Sequence, residues 1–303
     1  MDDIVKVKTV ADFDRIWGVE TRHPLVNVIE GSRIPAPVAH CRKHFDLYVI
    51  YIKDIICADR LTYGRGEYDF QENTLVFVGP GQVLGHPADG SVFTAKGWCL
   101  YFSPELLRGT SLMGKMKDYT FFSYAINEAL HISPQERRTI IDCLCKIDEE
   151  IAAGADRHSN MIIASAIELF LNYCARFYDR QFITRKKVNK DIITSFEELV
   201  DDYYSSGKAA QLGTLTVNWC ADKLNLSPNY FGDLIRKETG VSPKEYIQSR
   251  SIAAAKEMLW QTRLSVSEIA YALGYQYPQY FTRAFKNATG LPPNEYRRIN
   301  SAT

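Results

Sequence analysis

Apolar residues change their spacing along the chain. From Leu47 to about Tyr101, short runs rich in Tyr, Val, Ile and Phe alternate with Gly, Pro and Asp: Leu47 to Ile52, Ile55 to Leu61, Thr74 to Val78, Val92 to Thr94 and Trp98 to Phe102. Runs of this length between breakers predict antiparallel strands, with Gly79-Pro80-Gly81 as a turn between two of them. Beyond Ser133 the apolar steps become three and four. Ile140, Ile141, Leu144, Ile147 and Ile151 form one stripe on a helix started by Ser133-Pro134 and Glu136. Ile163, Ala166, Ile167, Phe170, Leu171 and Cys174 form another on a helix from Ser159 to Phe177. A loop around Gly154 makes the two an antiparallel hairpin. Strands followed by helices imply an α+β arrangement, a β barrel or sandwich with a helical annex. The stripes have two readings that spacing does not separate: cover for the barrel, or a face shared with a second subunit.

The basic stretch Arg185-Lys186-Lys187 with Lys190 marks a domain boundary and reads as a solvated linker. A helix from Asp191 to Tyr204 then opens the C-terminal part, with Ser205-Ser206-Gly207 and Gly213 forming a loop inside it. After that the sequence repeats. Tyr230, Phe231, Thr239, Gly240, Pro243, Glu245 and Tyr246 return 50 positions later as Tyr280, Phe281, Thr289, Gly290, Pro293, Glu295 and Tyr296. Each copy follows a short amphipathic segment, Val217 to Leu224 or Val266 to Leu273, with a small residue at Ala221 or Ala270 where helices can approach closely. Four residues later stands Asn225 or Gly274, types that tolerate the left-handed conformation ending a helix. Each copy therefore reads as helix, tight turn, helix, the outline of a helix-turn-helix present twice.

The second helix of each copy has two faces. In the first, Ser227-Pro228 supplies an N-cap and a first-turn proline; Phe231, Leu234 and Ile235 face inward, while Asn229, Gly232, Asp233 and Arg236 face out. In the second, Phe281, Ala284 and Phe285 face inward, and Gln279, Thr282, Arg283 and Lys286 face out. Gln reads adenine and Arg reads guanine in a bidentate manner, so this outer face suits a major groove. The stretch Pro243 to Gln261 is helical in pattern and about 28 Å long at 1.5 Å per residue. Such a strut can hold two reading helices near the roughly 34 Å between successive major grooves.

From about Leu215 to Arg298 the chain resembles the DNA-binding domain of the arabinose-regulator (AraC) family of transcription factors. The resemblance rests on Ala221-Asp222-Lys223-Leu224, Ser227-Pro228-Asn229-Tyr230-Phe231 and Lys237-Glu238-Thr239-Gly240-Val241-Ser242-Pro243 in the first copy. In the second it rests on Ile269-Ala270-Tyr271-Ala272-Leu273-Gly274-Tyr275, Tyr280-Phe281-Thr282-Arg283-Ala284-Phe285-Lys286, Thr289-Gly290 and Pro293. It implies base reading by Asn229, Gly232, Asp233, Gln279, Thr282 and Arg283, and phosphate contacts by Arg236, Lys237, Lys286 and Asn287. One departure stands out: Gly232 and Asp233 occupy positions where the family often carries long polar or basic side chains, which shifts base reading toward the second copy. The strand region, about Glu30 to Phe102, also looks like the small cupin-type barrel that such regulators carry, through Gly79-Pro80-Gly81 to His86 after Thr74 to Val78.

Composition and charge agree with a two-domain regulator. A chain of 303 residues, 46% hydrophobic and 24% charged, is ordinary globular material. Net charge is zero, yet residues 208–303 hold six Lys and six Arg against seven acids, a balance of +5 that leaves about −5 elsewhere. The positive charge sits where DNA binding needs it, but it is modest, so placed contacts must carry affinity. Seven Cys and no positively charged, apolar leader point to reduced thiols in the cytoplasm. No uninterrupted apolar run approaches the roughly 18 residues of a membrane helix.

Catalytic and metal chemistry find little purchase. His40, His44 and His86 contain no His-x-His pair, and Glu67 is the one obvious acid near them; on a strand, His40 and His44 would point to the same side yet lie too far apart to chelate. Cys143 and Cys145 diverge on a helix, and the other thiols are scattered among apolar neighbours. The expectation is therefore a non-enzymatic regulator with no cofactor. Residues 1–185 would form a cupin-like sensory and dimerising domain, with its barrel near 30–102 and helices near 133–178. Residues 191–303 would form an all-α double helix-turn-helix that binds promoter DNA and contacts RNA polymerase. His44, Tyr48, Tyr51, Phe77, His86 and Trp98 are candidates to line a small-molecule effector pocket. Two alternatives stand beside this: a ligand-independent dimeric regulator, and a metal-dependent cupin enzyme fused to a DNA-binding domain.

Overall fold

Thr74 to Val78 is buried at every position, which a strand allows only when both faces of its sheet are covered. The structure, a computed structural model, describes residues 4–53, 61–63, 66–68, 73–85, 90–125, 128–154, 156–184 and 186–300, with backbone alone for 61–63, 66–68, 186–187 and 300. These residues fall into two compact units, 1–184 and 185–303.

The N-terminal unit begins with strand β1 (Val5–Val7) and helix α1 (Val10–Trp17), whose start is fixed by a capping box between Thr9 and Asp12. There follow β2 (Val26–Glu30), β3 (Val38–Ala39), β4 (Arg42–Phe45), β5 (Tyr48–Lys53), β6 (Leu61–Tyr63), β7 (Gly66–Tyr68), β8 (Thr74–Val78), β9 (Val83–Gly85), β10 (Val92–Phe93) and β11 (Trp98–Phe102). Helix α2 (Ser111–Lys115) and β12 (Leu130–His131) lead to two long helices, α3 (Pro134–Ala153) and α4 (Ser159–Thr184). The main sheet has the order β12-β8-β5-β11-β2, with Tyr51 paired to Val76 on one side and Cys99 on the other. Smaller sheets are β1-β4-β9, β10-β3 and β6-β7.

Strand alternation sorts the main sheet into two buried faces. One face, with Ile29, Val49, Val76, Val78, Cys99 and Tyr101, packs on Phe13 and Trp17 of α1 and on Phe45, Leu47 and Leu84. Phe13 meets Tyr101 edge-on at 4.7 Å between ring centroids. The other face carries Ile50, Leu100 and Phe77, and Phe77 touches Phe121 and Tyr178 of α4 at 4.5 and 6.1 Å. Helix α3 is tied to the sheet side by Asp148, which accepts from Arg22 and, at 2.8 Å, from Arg33. Among the described residues the strands lie in separate sheets and do not close into a barrel, because neither edge strand of the main sheet, β12 or β2, pairs onward.

Ile140, Leu144, Ile147 and Ile151 of α3, and Ile163, Ile167, Phe170, Leu171 and Cys174 of α4, are all buried within their own chain. Both stripes are thus largely covered within the unit itself. Helix α4 runs to Thr184 and is long and apolar enough in composition to cross a bilayer, although its apolar residues are interrupted by polar ones. Its apolar side is nevertheless occupied by the sheet and α3.

In the C-terminal unit the basic stretch is no linker: Lys186 opens helix α5 (Lys186–Ser205). The loop expected at 205–213 holds a further short helix, α6 (Lys208–Leu212). Then come α7 (Val217–Lys223), α8 (Pro228–Thr239), α9 (Pro243–Gln261), α10 (Val266–Ala272), α11 (Pro278–Thr289) and α12 (Pro293–Asn300). Two apolar cores form. The first gathers Phe196 and Val200 of α5, Cys220 and Ala221 of α7, Phe231 and Ile235 of α8, and Ile247 from the first half of α9. The second gathers Ile252, Ala255 and Leu259 from the rest of α9 with Ile269, Ala270, Leu273, Phe281 and Phe285. Tyr204 touches both cores, and burial pushes its phenol up to about 12. Helix α9 is thus a strut shared by two helix pairs.

Candidate nucleic-acid interface

The repeated residues have mechanical explanations. Thr239 and Thr289 donate their hydroxyls to the carbonyls of Ile235 and Phe285, at 2.7 and 2.8 Å, and accept from the N–H of Val241 and Leu291. Gly240 and Gly290 follow at φ of 78° and 80°, ending α8 and α11 in the left-handed conformation. Ser242 and Glu245 form the capping box of α9, and the Ser242 hydroxyl and N–H hold the Glu245 carboxyl below its usual range. Ser265 does the same for Glu268 on α10, chiefly through its backbone N–H. Each pair turns on a residue of positive φ, Asn225 at 56° and Gly274 at 83°.

With Phe231, Leu234 and Ile235 buried, α8 presents Asn229 and Arg236 to solvent, with Gly232 and Asp233 half-buried and Lys237 exposed. On α11, Phe281 and Phe285 are buried and Gln279, Arg283, Lys286 and Asn287 are exposed. Among the described residues the side chains of these four make no hydrogen bond or ion pair, so their polar groups are available to a partner. Thr282 differs: its hydroxyl donates to the Pro278 carbonyl at 3.0 Å and keeps only acceptor capacity and a methyl group. The start of α11 also differs from that of α8. Ser227 accepts from the Tyr230 N–H at 3.3 Å through its hydroxyl, whereas Tyr277 caps α11 with no side-chain bond and its backbone carbonyl takes the Tyr280 N–H at 3.0 Å.

Two residues escaped the sequence reading. Tyr280, matched to Tyr230 by the repeat, is 58% exposed where Tyr230 is 4%, and it packs edge-on against Tyr277 at 5.7 Å. An exposed aromatic pair at the entry to α11 leaves no periodic signal, because burial of one repeat position suggests burial of the other.

The five effector-pocket candidates that are described do not come together. Tyr51 faces the α1 side of the main sheet and lines a pocket there. Tyr48 and Phe77 lie on the opposite face, against Phe122 and Phe121, and alternation along β11 puts Trp98 on that face too. His44 points away from the core beside Asp46, 3.6 Å distant, while its strand neighbours Lys43 and Phe45 point in. His86 lies outside the described residues, as do Cys57 and most of the segment from Ile55 to Leu61. His40 is buried and His44 is not: the break between β3 and β4 interrupts the alternation that would have put them on one side. Cys99 and Cys174 are buried thiols whose pKa burial drives far upward, which makes them poor nucleophiles.

Residues 220–299 match the family model described as a helix-turn-helix domain. Over 95 residues, 30% of this chain, the sequence is 41% identical to an uncharacterized transcriptional regulatory protein, YesN, of Bacillus subtilis, covering 26% of that protein. Over 109 residues, 36% of this chain, it is 32% identical to the Msm operon regulatory protein of Streptococcus mutans, covering 37% of that protein. Among solved structures, the C-terminal domain of AraT, a response regulator from Geobacillus stearothermophilus, is 33% identical, with a TM-score of 0.32 over 36% of this chain and 84% of that one. The chain spans between 11% and 52% of the length of curated relatives it matches. The matched residues span most of α7, all of α8 to α11 and most of α12.

Proposed function

We propose that the protein is a sequence-specific DNA-binding transcriptional regulator in which α7–α8 and α10–α11 are two helix-turn-helix units, with α8 and α11 entering successive major grooves. The observation that carries this is the outer face of α11, where Gln279, Arg283, Lys286 and Asn287 stand exposed and unengaged on a helix whose other face is core. Exposed polar groups without internal partners are what base edges and phosphates require. Gln279 and Arg283 read bases, and Arg236, Lys237, Lys286 and Asn287 hold phosphates. Asn229 extends the reading to the first pair, where Gly232 and Asp233 contribute little reach.

The N-terminal unit serves as the sensory and dimerising module, and a cupin-type kinship would take the form of facing sheets with a pocket between them. Since the apolar stripes of α3 and α4 are consumed by the sheet, dimerisation falls to the outer side of α4, where Met161, Ile162 and Leu169 are exposed. The protein acts by binding, in the cytoplasm, without catalysis of its own, and contacts RNA polymerase from its promoter site.

Selection of bound duplexes from a random pool tests this reading. The intact protein should enrich one motif, and the Gln279→Ala, Arg283→Ala double variant should lose preference at a subset of its positions. A pool that stays random with the intact protein overturns the proposal.

A further inference from the structure

Between the main sheet and β4–β9 lies a pocket with about 560 Å³ of atom-free space, part of it open to solvent. Most of its wall is apolar: Tyr51 and Val76 from the main sheet, Leu84 from β9, Phe93 from β10 and the indole of Trp17. Gly85 lets β9 approach the Cys41 backbone, since a Cβ there would collide with the Cys41 carbonyl oxygen. Lys43 and Lys53 also line the pocket, and none of its described lining residues is an acid.

Lys43 is the anomaly. It is 7% exposed, and among the described residues its one hydrogen bond is to the Cys41 carbonyl at 3.5 Å, the outer limit of such a bond, with no ion pair. An ammonium largely withdrawn from water and given no counter-charge among the described residues is costly, which leaves it suited to an anionic partner. Trp17 adds a second, independent sign: its side chain is 6% exposed and Nε1–H has no acceptor among the described residues. Burial holds the Tyr51 phenol well above its ordinary pKa, so it remains a neutral O–H beside them.

Two buried donors, one of them charged, in an apolar pocket call for an anionic head on an apolar body. We propose that this pocket binds a small organic monocarboxylate, with Lys43 as its counter-charge and Trp17 as a hydrogen-bond donor, and that this ligand is the effector of the regulator. The second half rests on the regulatory reading above; the first does not.

Calorimetric titration of the intact protein with benzoate and hexanoate, each against its neutral amide, tests the site. Each acid should bind roughly tenfold or more tightly than its amide, the difference expected of a charge-assisted contact. Lys43→Met should abolish that preference while raising the melting temperature, because it removes an uncompensated buried charge without opening a void. Trp17→Phe, which keeps the ring packing and deletes the N–H, should weaken the acids more than the amides, and the exposed-site control Lys96→Met should change nothing. Equal binding of acid and amide, unaltered acid affinity in a folded Lys43→Met, or no binding of either acid at millimolar concentration overturns the site. Measuring affinity for the selected duplex separates the two claims. Acid binding that leaves DNA affinity unchanged overturns the effector role alone. A protein that selects a DNA motif and binds neither acid loses the site and keeps the DNA reading.

Discussion

Gly274, at φ +83° in the turn between α10 and α11, lies so close to Gly213 that a Cβ on it would collide with the Gly213 carbonyl and sit 2.7 Å from the Ala209 carbonyl oxygen. The end of α6 is therefore the surface against which the second turn is set. Gly274→Ala combines left-handed strain with overpacking against backbone, which cannot step aside, and should destabilise the C-terminal unit by about 2 kcal/mol or more. Asn225 holds the matching position of the first turn at φ 56°, so Asn225→Gly should change stability by less than about 1 kcal/mol. Urea unfolding followed by circular dichroism decides it: equal midpoints for Gly274→Ala and the unaltered protein would show that the close approach does not constrain the turn.

Arg283 should carry base discrimination. It is exposed on the outer face of α11, one turn beyond Gln279, and nothing among the described residues holds its guanidinium. Losing one bidentate base contact costs about 1 to 3 kcal/mol, so Arg283→Ala should weaken binding to the selected motif by that amount while leaving binding to random duplex nearly unchanged. Equal losses on both duplexes at one salt concentration would remove Arg283 from the base-reading set.

Arg236 and Lys286 occupy equivalent places in the two repeats, each just past a buried residue, Ile235 or Phe285, and each is exposed. That symmetry suits a phosphate anchor, since the backbone looks alike at both grooves. Replacing either with Ala should reduce the slope of log affinity against log salt by close to one unit. Unchanged slopes in both variants would eliminate the anchoring role.

The C-terminal helices were legible because their signals are local. Caps at Ser227, Ser242 and Ser265, prolines at first-turn positions and glycines at φ near 80° each act within a few residues. The strands Thr74–Val78 and Trp98–Phe102 were legible for a related reason, as continuous apolar runs between breakers. Helix α1 and strands β1, β2, β4 and β9 were not, because their short segments mix polar residues with inward ones and are held by distant partners such as Tyr101 on Asp14. The pocket was the least legible feature. Its walls come from α1, β4, β5, β8, β9 and β10, and an aromatic residue in a strand does not by itself reveal which sheet face it takes. Lys43 shows the same limit: nothing around it in the sequence marks a lysine that points inward.

The boundary between the units yields the last prediction. Asn189, buried at the start of α5, donates from Nδ2 to Glu238 Oε1 of α8 at 2.9 Å, so the segment before Asp191 takes part in the support of the first helix pair. A fragment beginning at Lys186 retains this bond, both cores and the strut, and should unfold cooperatively and still recognise the selected motif. A fragment beginning at Asp191 loses this part-buried hydrogen bond to a carboxylate and leaves Glu238 without that donor, which should cost about 1 to 2 kcal/mol. The same loss should follow from Asn189→Ala in the longer fragment. Matching urea midpoints for the two fragments would mean that α5 supports the first pair through Phe196 and Val200 alone, and that the first turn of α5 adds nothing to the DNA-binding unit.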